Sequence, residues 1–553
     1  MNSNQSKSIA IIEKVLLAIY ILLGIWAALN VGISWDEEYE LNIFTLNVNS
    51  IIGLLNGNTT SYSTLLNFQD RYYGIGFHAL AHFFTYAASA IGFTPDWHNV
   101  ISKQLLLKHI PVFMVFVLSG YIVKKILLAL TQNQLLASCA MFCFLLWPYL
   151  LGHGLMNIKD MPFLFAWLLC TYRALVIFDR NLIAENSQHL IKNIVILAVL
   201  TAWLCSIRIS GILIFIEYGL IAFAGLLFLG FWQSLRKLSL RSVVGYCIIF
   251  LIPYFFILFL LYPIFWHNPI EFINAIFYQS HNPIVMDTLT AGNIISNRSN
   301  LIRYVPIWLG VKLPLLVLLG LALAPLLWWK YIQTENTTIK INIVKTWCLL
   351  GSSIVILCFL ILNRVHLYNE LRHILFIFPL LFIAGITSLF YISRILCIAL
   401  LLLTSIIFVI DDVKLHPYQY TYLNELTRQF PISQQFEKDY FALSTGRTAL
   451  WLNAQGLGTS RCIYASPLHV WLYKIDQAQF PCNQDLPGQD LRLEKRSFLL
   501  YGQIRNPDVP PPLPSCKILH SEKRALFLSN YTLEMSRLYA CDPILEPQKT
   551  TNN

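Results

Sequence analysis

Charge is what this sequence has least of. Only 12% of its 553 residues are Asp, Glu, Lys or Arg, against about 25% in soluble globular proteins, and 56% are hydrophobic. That composition excludes a large soluble core and indicates a membrane protein. The net charge of +10 is spread along the chain, with no arginine- or lysine-rich block of the kind that grips nucleic acid. It fits basic loops facing anionic lipid. No Gly-x-x-x-x-Gly-Lys-Ser/Thr pattern is present, which argues against direct use of ATP through a P-loop. There is no short internal repeat and no low-complexity tract.

The twelve cysteines divide by position. Cys139, Cys143, Cys170, Cys205, Cys247, Cys348, Cys358 and Cys397 lie in hydrophobic runs, where cysteine acts as a small apolar residue. Cys462, Cys482, Cys516 and Cys541 lie in the polar region after residue 411 without the Cys-x-x-Cys spacing of a zinc site. Four cysteines there suit two disulfides in an oxidising compartment, with three pairings open.

A membrane-crossing helix needs about 20 mostly apolar residues. That rule predicts eleven spans, at 12–33, 104–123, 132–151, 161–178, 192–207, 210–232, 243–265, 306–329, 346–362, 373–391 and 394–410. The first lacks a small-residue cleavage site, so it reads as a retained span rather than a signal peptide. Lys7 and Lys14 precede it. Basic residues then recur after every second span: Lys124 and Lys125, Arg180, Arg236 with Lys237 and Arg241, Lys330 with Lys340, and Arg394. The positive-inside rule therefore places the N-terminus in the cytoplasm and residues 411–553 outside. The expected organisation is a transmembrane domain over 1–410, with a large first outer loop at 34–103, followed by an extracytoplasmic domain. Within that loop, GIGFHALAHFFTYAASAIGF (74–93) reads as lying along the interface. In the last region a helical pattern at 443–455 alternates with β-like RCIYA (461–465), SFLLY (497–501) and ALFLS (525–529), predicting a small α/β domain. PDVPPPLP (507–514) reads as a rigid connector.

The polar residues obey a parity. SWDEEYE follows span 1, GHGLMNIKD span 3, SIRIS span 5, WHNP span 7, NRVHLYNELRH span 9 and HPYQYTYLNE span 11. All of these fall on the outer face, at helix ends where ionisable groups are costly unless paired or used. Individually each has an ordinary reading. Ser34 and Glu37 form an S-x-x-E capping box; Lys159 and Asp160 can be a charge pair in a turn; Arg208, Arg372 and His373 can snorkel. Glu217, inside a span, is assigned no role. Together, cations and acids on one face suit glycosyl transfer from a lipid-linked sugar. Asp36 or Glu37 would take the acceptor's proton, and Lys159, Arg208 and Arg372 would stabilise the departing phosphate. The acids are also compatible with a divalent ion such as Mg or Mn, although no ligand spacing is diagnostic.

Several of these stretches resemble bacterial members of glycosyltransferase family 39, the protein-mannosyltransferase-like group with the GT-C membrane fold. They are SWDEEYE, DRYYGIGFH (70–78), GHGLMNIKDMPF (152–163), SIRISG (206–211), LYNELRHILFIFP (367–379), HPYQYTYLNEL (416–426) and FEKDYFALS (436–444), in order across about 400 residues. The resemblance implies an inverting hexosyl- or pentosyltransferase on the outer face of the bacterial inner membrane. Its donor would be a polyprenyl-phosphate sugar and its acceptor a glycolipid, glycan or protein hydroxyl. It implies catalytic roles for Asp36, Glu37 and Asp160. It also implies phosphate contacts from Lys159, Arg372, Arg208 and Arg71, and substrate contacts from Tyr72, His153, Asn157 and His373. Where many relatives carry Asp-Gly-x-Arg-His, this chain has Asn369-Glu370-Leu371-Arg372-His373. The competing reading is a transporter or lipid flippase, which would instead carry ionisable or helix-breaking residues near the bilayer midplane.

Overall fold

The computed structural model describes residues 3–93, 100–177, 187–228, 240–281, 284–298, 301–456, 461–465, 483–485, 497–504 and 511–542. Arg180, Arg236, Lys237, Cys482 and the first half of the proline-rich stretch lie outside these residues. The architecture is mainly α: a bundle of apolar helices with a small sheet domain at its C-terminal end.

Among the described residues nine helices are long and apolar enough to cross a membrane. They correspond to nine of the eleven predicted spans, with shifted ends. Helix α1 (Ser3–Asn30) leaves Leu22, Leu23 and Trp26 exposed, which costs nothing where the surrounding solvent is hydrocarbon. Two predicted spans differ. Over 132–151 the chain forms α6 (Gln134–Leu145) and α7 (Pro148–Met156), bent by 63°. Pro148 has no N–H to continue the ladder but suits a first helical turn, so the helix stops and restarts. Over 373–391, Arg372–Ile374 is a 3-10 turn, and the helix is the shorter Ile377–Ile392. The predicted 306–329 span also shifts. Pro314 separates helix Leu301–Lys312 from the apolar run that continues to Gln333.

The first connecting region contains α2 (Trp35–Leu55), α3 (Thr60–Asn67) and α4 (His78–Ala90). With 13 residues, α4 is about 20 Å long and too short to span about 30 Å of hydrocarbon. Its Leu80, Phe83 and Tyr86 are exposed while His78, Ala81, Thr85 and Ala88 are buried. This is the amphipathic pattern of an interfacial helix. Helices α5 (Val100–Thr131) and α8 (Asp160–Ile177) form the centre of the bundle with Ile377–Ile392. There Trp167 stacks on Phe376 at 4.0 Å, and its indole donates to Glu217 Oε2 at 2.8 Å.

A hairpin, β1 (Asp287–Thr290) with β2 (Asn293–Ser296), precedes helix Leu301–Lys312. The C-terminal sheet contains β3 (Cys462–Ala465), β4 (Asn483–Asp485), β5 (Phe498–Gln503), β6 (Cys516–Ala525) and β7 (Thr532–Cys541). Its order is β4-β3-β5-β7-β6, with β3 parallel to both neighbours and β5–β7–β6 antiparallel. Helix Leu443–Gln455 packs on it, as its periodicity predicts. A disulfide joins Cys516 to Cys541, and Cys462 is disulfide-bonded too. ALFLS is not a strand beyond Ala525: it turns, with Leu528 at φ 59°. The turn is held by the bundle. The Phe527 amide donates to Asp411 Oδ1 at 2.7 Å, Arg428 donates to the Phe527 carbonyl at 2.8 Å, and Arg428 pairs with Asp411 at 2.8 Å, fully buried. Tertiary partners override the local β preference.

Candidate functional site

Four of the six polar stretches meet around one cavity of about 290 Å³, while WHNP and HPYQYTYLNE contribute no lining residue. Each is delivered by a local device legible in its own residues. Ser34 ends the extended approach to α2, and its N–H donates to Glu37 Oε1 at 2.6 Å, the reciprocal half of a capping box. That bond places Asp36 in the first turn, beside the positive end of the helix dipole. Between α7 and α8, Asn157 Oδ1 accepts the Lys159 and Asp160 amides at 3.2 and 2.8 Å, while its Nδ2 donates to Asp160 Oδ2 at 2.9 Å. The Asn-x-Lys-Asp stretch is thus an Asx turn that starts a helix and aims its own lysine and acid. Arg208 follows the last turn of helix Ser187–Ile207, and Arg372 opens the 3-10 turn before Ile377.

Close backbone approaches lock these pieces together. A Cβ on Gly152 would lie 2.3 Å from the Tyr420 amide nitrogen, so only glycine lets the GHG and HPYQY stretches touch. A Cβ on Gly74 would lie 2.2 Å from the Ser206 carbonyl, which joins YYGIG to SIRIS in the same way.

Three ion pairs line the cavity. Arg372 donates to Asp36, Arg208 Nη2 lies 2.7 Å from Asp160 Oδ1, and Lys159 Nζ lies 2.8 Å from Glu40 Oε1. Glu40 also has His78 Nε2 at 3.3 Å, and Lys159 sits 3.4 Å from the centroid of the Tyr73 ring. Burial alone would raise the Glu40 carboxyl, but Lys159 and His78 outweigh it and hold it well below the usual range. Burial lowers Lys159, against the pull of Glu40. Burial would also lower Arg372, yet the Asp36 carboxylate raises it and keeps it charged. His373 falls well below its usual value through burial and the Arg208, Arg372 and Lys159 cations, so its ring is neutral.

The acids differ in availability. Glu37 spends one oxygen on Ser34 and the other on His109 Nε2 at 2.8 Å, and its side chain is 5% exposed. Asp160 is 5% exposed and Glu40 10%, whereas Asp36 is 34% exposed. Among the cations, Arg208 Nε and Arg372 Nε are buried N–H groups without a hydrogen-bond partner. Both residues line the cavity, and guanidinium groups there suit an anion with several acceptor oxygens. Much of the remaining lining is apolar, including Ile212, Leu213, Ile276, Phe359 and Leu360.

Of the residues singled out in the sequence, Asp36, Glu37, Asn157, Lys159, Asp160, Arg208, Arg372 and His373 line the cavity. His153 is buried behind it, with Nδ1 2.9 Å from Asn157 Nδ2 and Nε2 3.1 Å from the Tyr440 hydroxyl. Arg71 and Tyr72 are not in the lining. Arg71 donates to the Tyr72 hydroxyl at 3.0 Å, and that hydroxyl donates to Glu271. Sequence reasoning did not single out Glu40, Tyr73, Tyr368 or Phe441. Glu40 carried a signal, since positions 36, 37 and 40 share a helical face. Phe441 lay in the FEKDYFALS stretch with nothing local to tie it to the site, because it arrives from the C-terminal region to lie with its ring 5.5 Å from the Arg372 guanidinium. Among the described residues no three His, Cys, Asp or Glu side chains converge as a metal-ligating group.

The chain matches no family model and no curated protein. Among solved structures it is similar to ArnT from Cupriavidus metallidurans, crystallised bound to undecaprenyl phosphate. The match covers 95% of this chain and 97% of that one, at 13% identity and a TM-score of 0.43. A likeness that distant assigns no residue, and the reading of the site rests on its own geometry.

Proposed function

We propose that the chain is a membrane glycosyltransferase of the GT-C type, moving a sugar from a polyprenyl-phosphate donor to an acceptor hydroxyl. One observation carries the reading: a single partly exposed carboxylate, Asp36, shares a cavity with three cations, two of which hold buried unspent donors. The apolar part of the lining suits a lipid chain and the polar part its phosphate. In this reaction the acceptor O–H gives its proton to Asp36 as its oxygen attacks the sugar's anomeric carbon. The bond from that carbon to the phosphate oxygen breaks, and the phosphate leaves with the electron pair. A single displacement inverts the anomeric centre. Arg372, Arg208 and Lys159 face the phosphate and stabilise the charge it gains. Glu40 and Asp160 keep Lys159 and Arg208 in place, and Glu37 anchors the helix that carries Asp36.

The positive-inside pattern supports an outer-face location, where a lipid-linked donor is available and a cytosolic nucleotide sugar is not. A flippase would carry its working charges near mid-membrane, whereas the charges lining this cavity sit at helix ends. The test is a deletion strain. It should lose one sugar decoration from its envelope glycans or glycolipids, restored by the wild-type gene and not by Asp36→Asn. An unchanged profile would remove the proposal.

A further inference from the structure

Arg372 is presented by an unusual piece of backbone. Asn369 and Glu370 are consecutive non-glycine residues with φ of 51° and 62°, the left-handed region that a Cβ disfavours. Such a turn persists only when its surroundings over-determine it. Three contacts from two segments, β1 and helix Leu301–Lys312, do so here. The Asn369 amide donates to Thr288 Oγ1 of β1 at 3.1 Å, and the Glu370 carbonyl accepts the Tyr304 hydroxyl at 2.8 Å. The Glu370 carboxylate lies 2.9 Å from Lys312 Nζ, with both side chains at 0% exposure. Lys312 also donates to the Tyr420 carbonyl at 3.0 Å and lies over the Tyr149 and Trp308 rings. Glu370 and Lys312 are not part of the cavity lining. A fully enclosed ion pair is a poor source of net stability compared with an apolar pair, so its placement two residues before Arg372 calls for another role.

We propose that Glu370 is a positioning residue: its pairing with Lys312 fixes the left-handed turn at 369–370 and so sets where Arg372 presents its guanidinium to the donor's phosphate. This rests on the glycosyltransferase reading above. Glu370 touches neither the cavity nor the reacting atoms and acts only through Arg372. Its effect on phosphate binding must therefore vanish when Arg372 is gone.

The experiment is a double-mutant cycle on the full chain in lipid nanodiscs, with polyprenyl phosphate as the titrated probe. Glu370→Ala should weaken its binding about tenfold in the wild-type background and less than about twofold in an Arg372→Ala background, a coupling within the range for residues acting as one unit. Glu370→Gly loses the same carboxylate but tolerates the positive φ, so it should bind several-fold tighter than Glu370→Ala. If Glu370→Ala does not fold, Glu370→Gln in the same cycle keeps a hydrogen-bond partner for Lys312 and should show a smaller loss, again only with Arg372 present. Equal losses in both backgrounds would mean general structural damage and would overturn the proposal, as would unchanged binding in Glu370→Ala. A wild-type protein that binds no polyprenyl phosphate would instead refute the function on which it rests.

Discussion

Asp36 and Glu37 are adjacent acids in one helical turn, and the structure separates what each should do. Take Asp36→Asn first. The side chain is 34% exposed and its partner Arg372 is 9% exposed. Asparagine keeps an acceptor oxygen for that guanidinium, so the substitution costs the fold about 1 kcal/mol rather than the larger penalty of an unpaired buried charge. As the proposed general base, however, Asp36 would contribute about 10²–10⁴ in rate, or roughly 3–5 kcal/mol of barrier. The variant should therefore unfold almost like wild type while kcat falls by about two to four decades. Glu37→Gln should do the reverse. Both Glu37 oxygens are bonded to buried partners, at 2.6 Å and 2.8 Å. Its loss should remove about 2–3 kcal/mol of stability and leave turnover per folded molecule near normal. Sugar transfer by purified protein in nanodiscs, with thermal unfolding of the same samples, measures both. An Asp36→Asn protein that turns over within tenfold of wild type would refute the assignment. A Glu37→Gln protein that is stable but inactive would move the base to Glu37.

Arg372→Ala should raise the donor KM about 10- to 100-fold, the value of a charge-assisted hydrogen bond, with little change in the acceptor KM; initial-rate kinetics with each substrate varied distinguish the two. Glu40 is held below its usual range by Lys159 and His78 against the opposing effect of burial. Its stabilisation is therefore fully present above the unfolded value of 4.5 and is lost as pH falls through the lower folded value. Glu40→Gln should accordingly be less stable than wild type at neutral pH, with the gap closing at more acidic pH; parallel denaturation curves would show a constant gap if the pairing were irrelevant. Replacing Cys516 and Cys541 with serine opens a loop of 25 residues and should destabilise the sheet domain by about 3 kcal/mol, read as earlier proteolysis of the C-terminal domain.

Membrane class, most span positions and the helix after Ala442 were legible because they depend on composition and periodicity, which are local. The misplaced ends were local too, in retrospect. Pro148 and Pro314 both sit inside predicted spans, and hydropathy has no term for a missing N–H. ALFLS was misread because its partners, Asp411 and Arg428, lie about a hundred residues away. The cavity divides in the same manner. Asp36, beside the Ser34–Glu37 capping box, and Lys159 with Asp160, as a charge pair in a turn, were legible in the residues, whereas Asn157 entered only through the family resemblance. Glu40 was in plain view but gained meaning only once Lys159 came within 2.8 Å of it.

By itself the sequence determined that this chain is a helical membrane protein whose polar clusters lie at the ends of apolar runs, since hydropathy and charge position are properties of the chain alone. Only the tertiary structure decided which acid stays accessible, since Asp36 is also ion-paired, with Arg372, but is 34% exposed. Glu37, Glu40 and Asp160 are the same chemistry as Asp36 until His109, Lys159 and Arg208 arrive from distant helices to bind them. Those partners leave Asp36 as the most exposed carboxylate of the group.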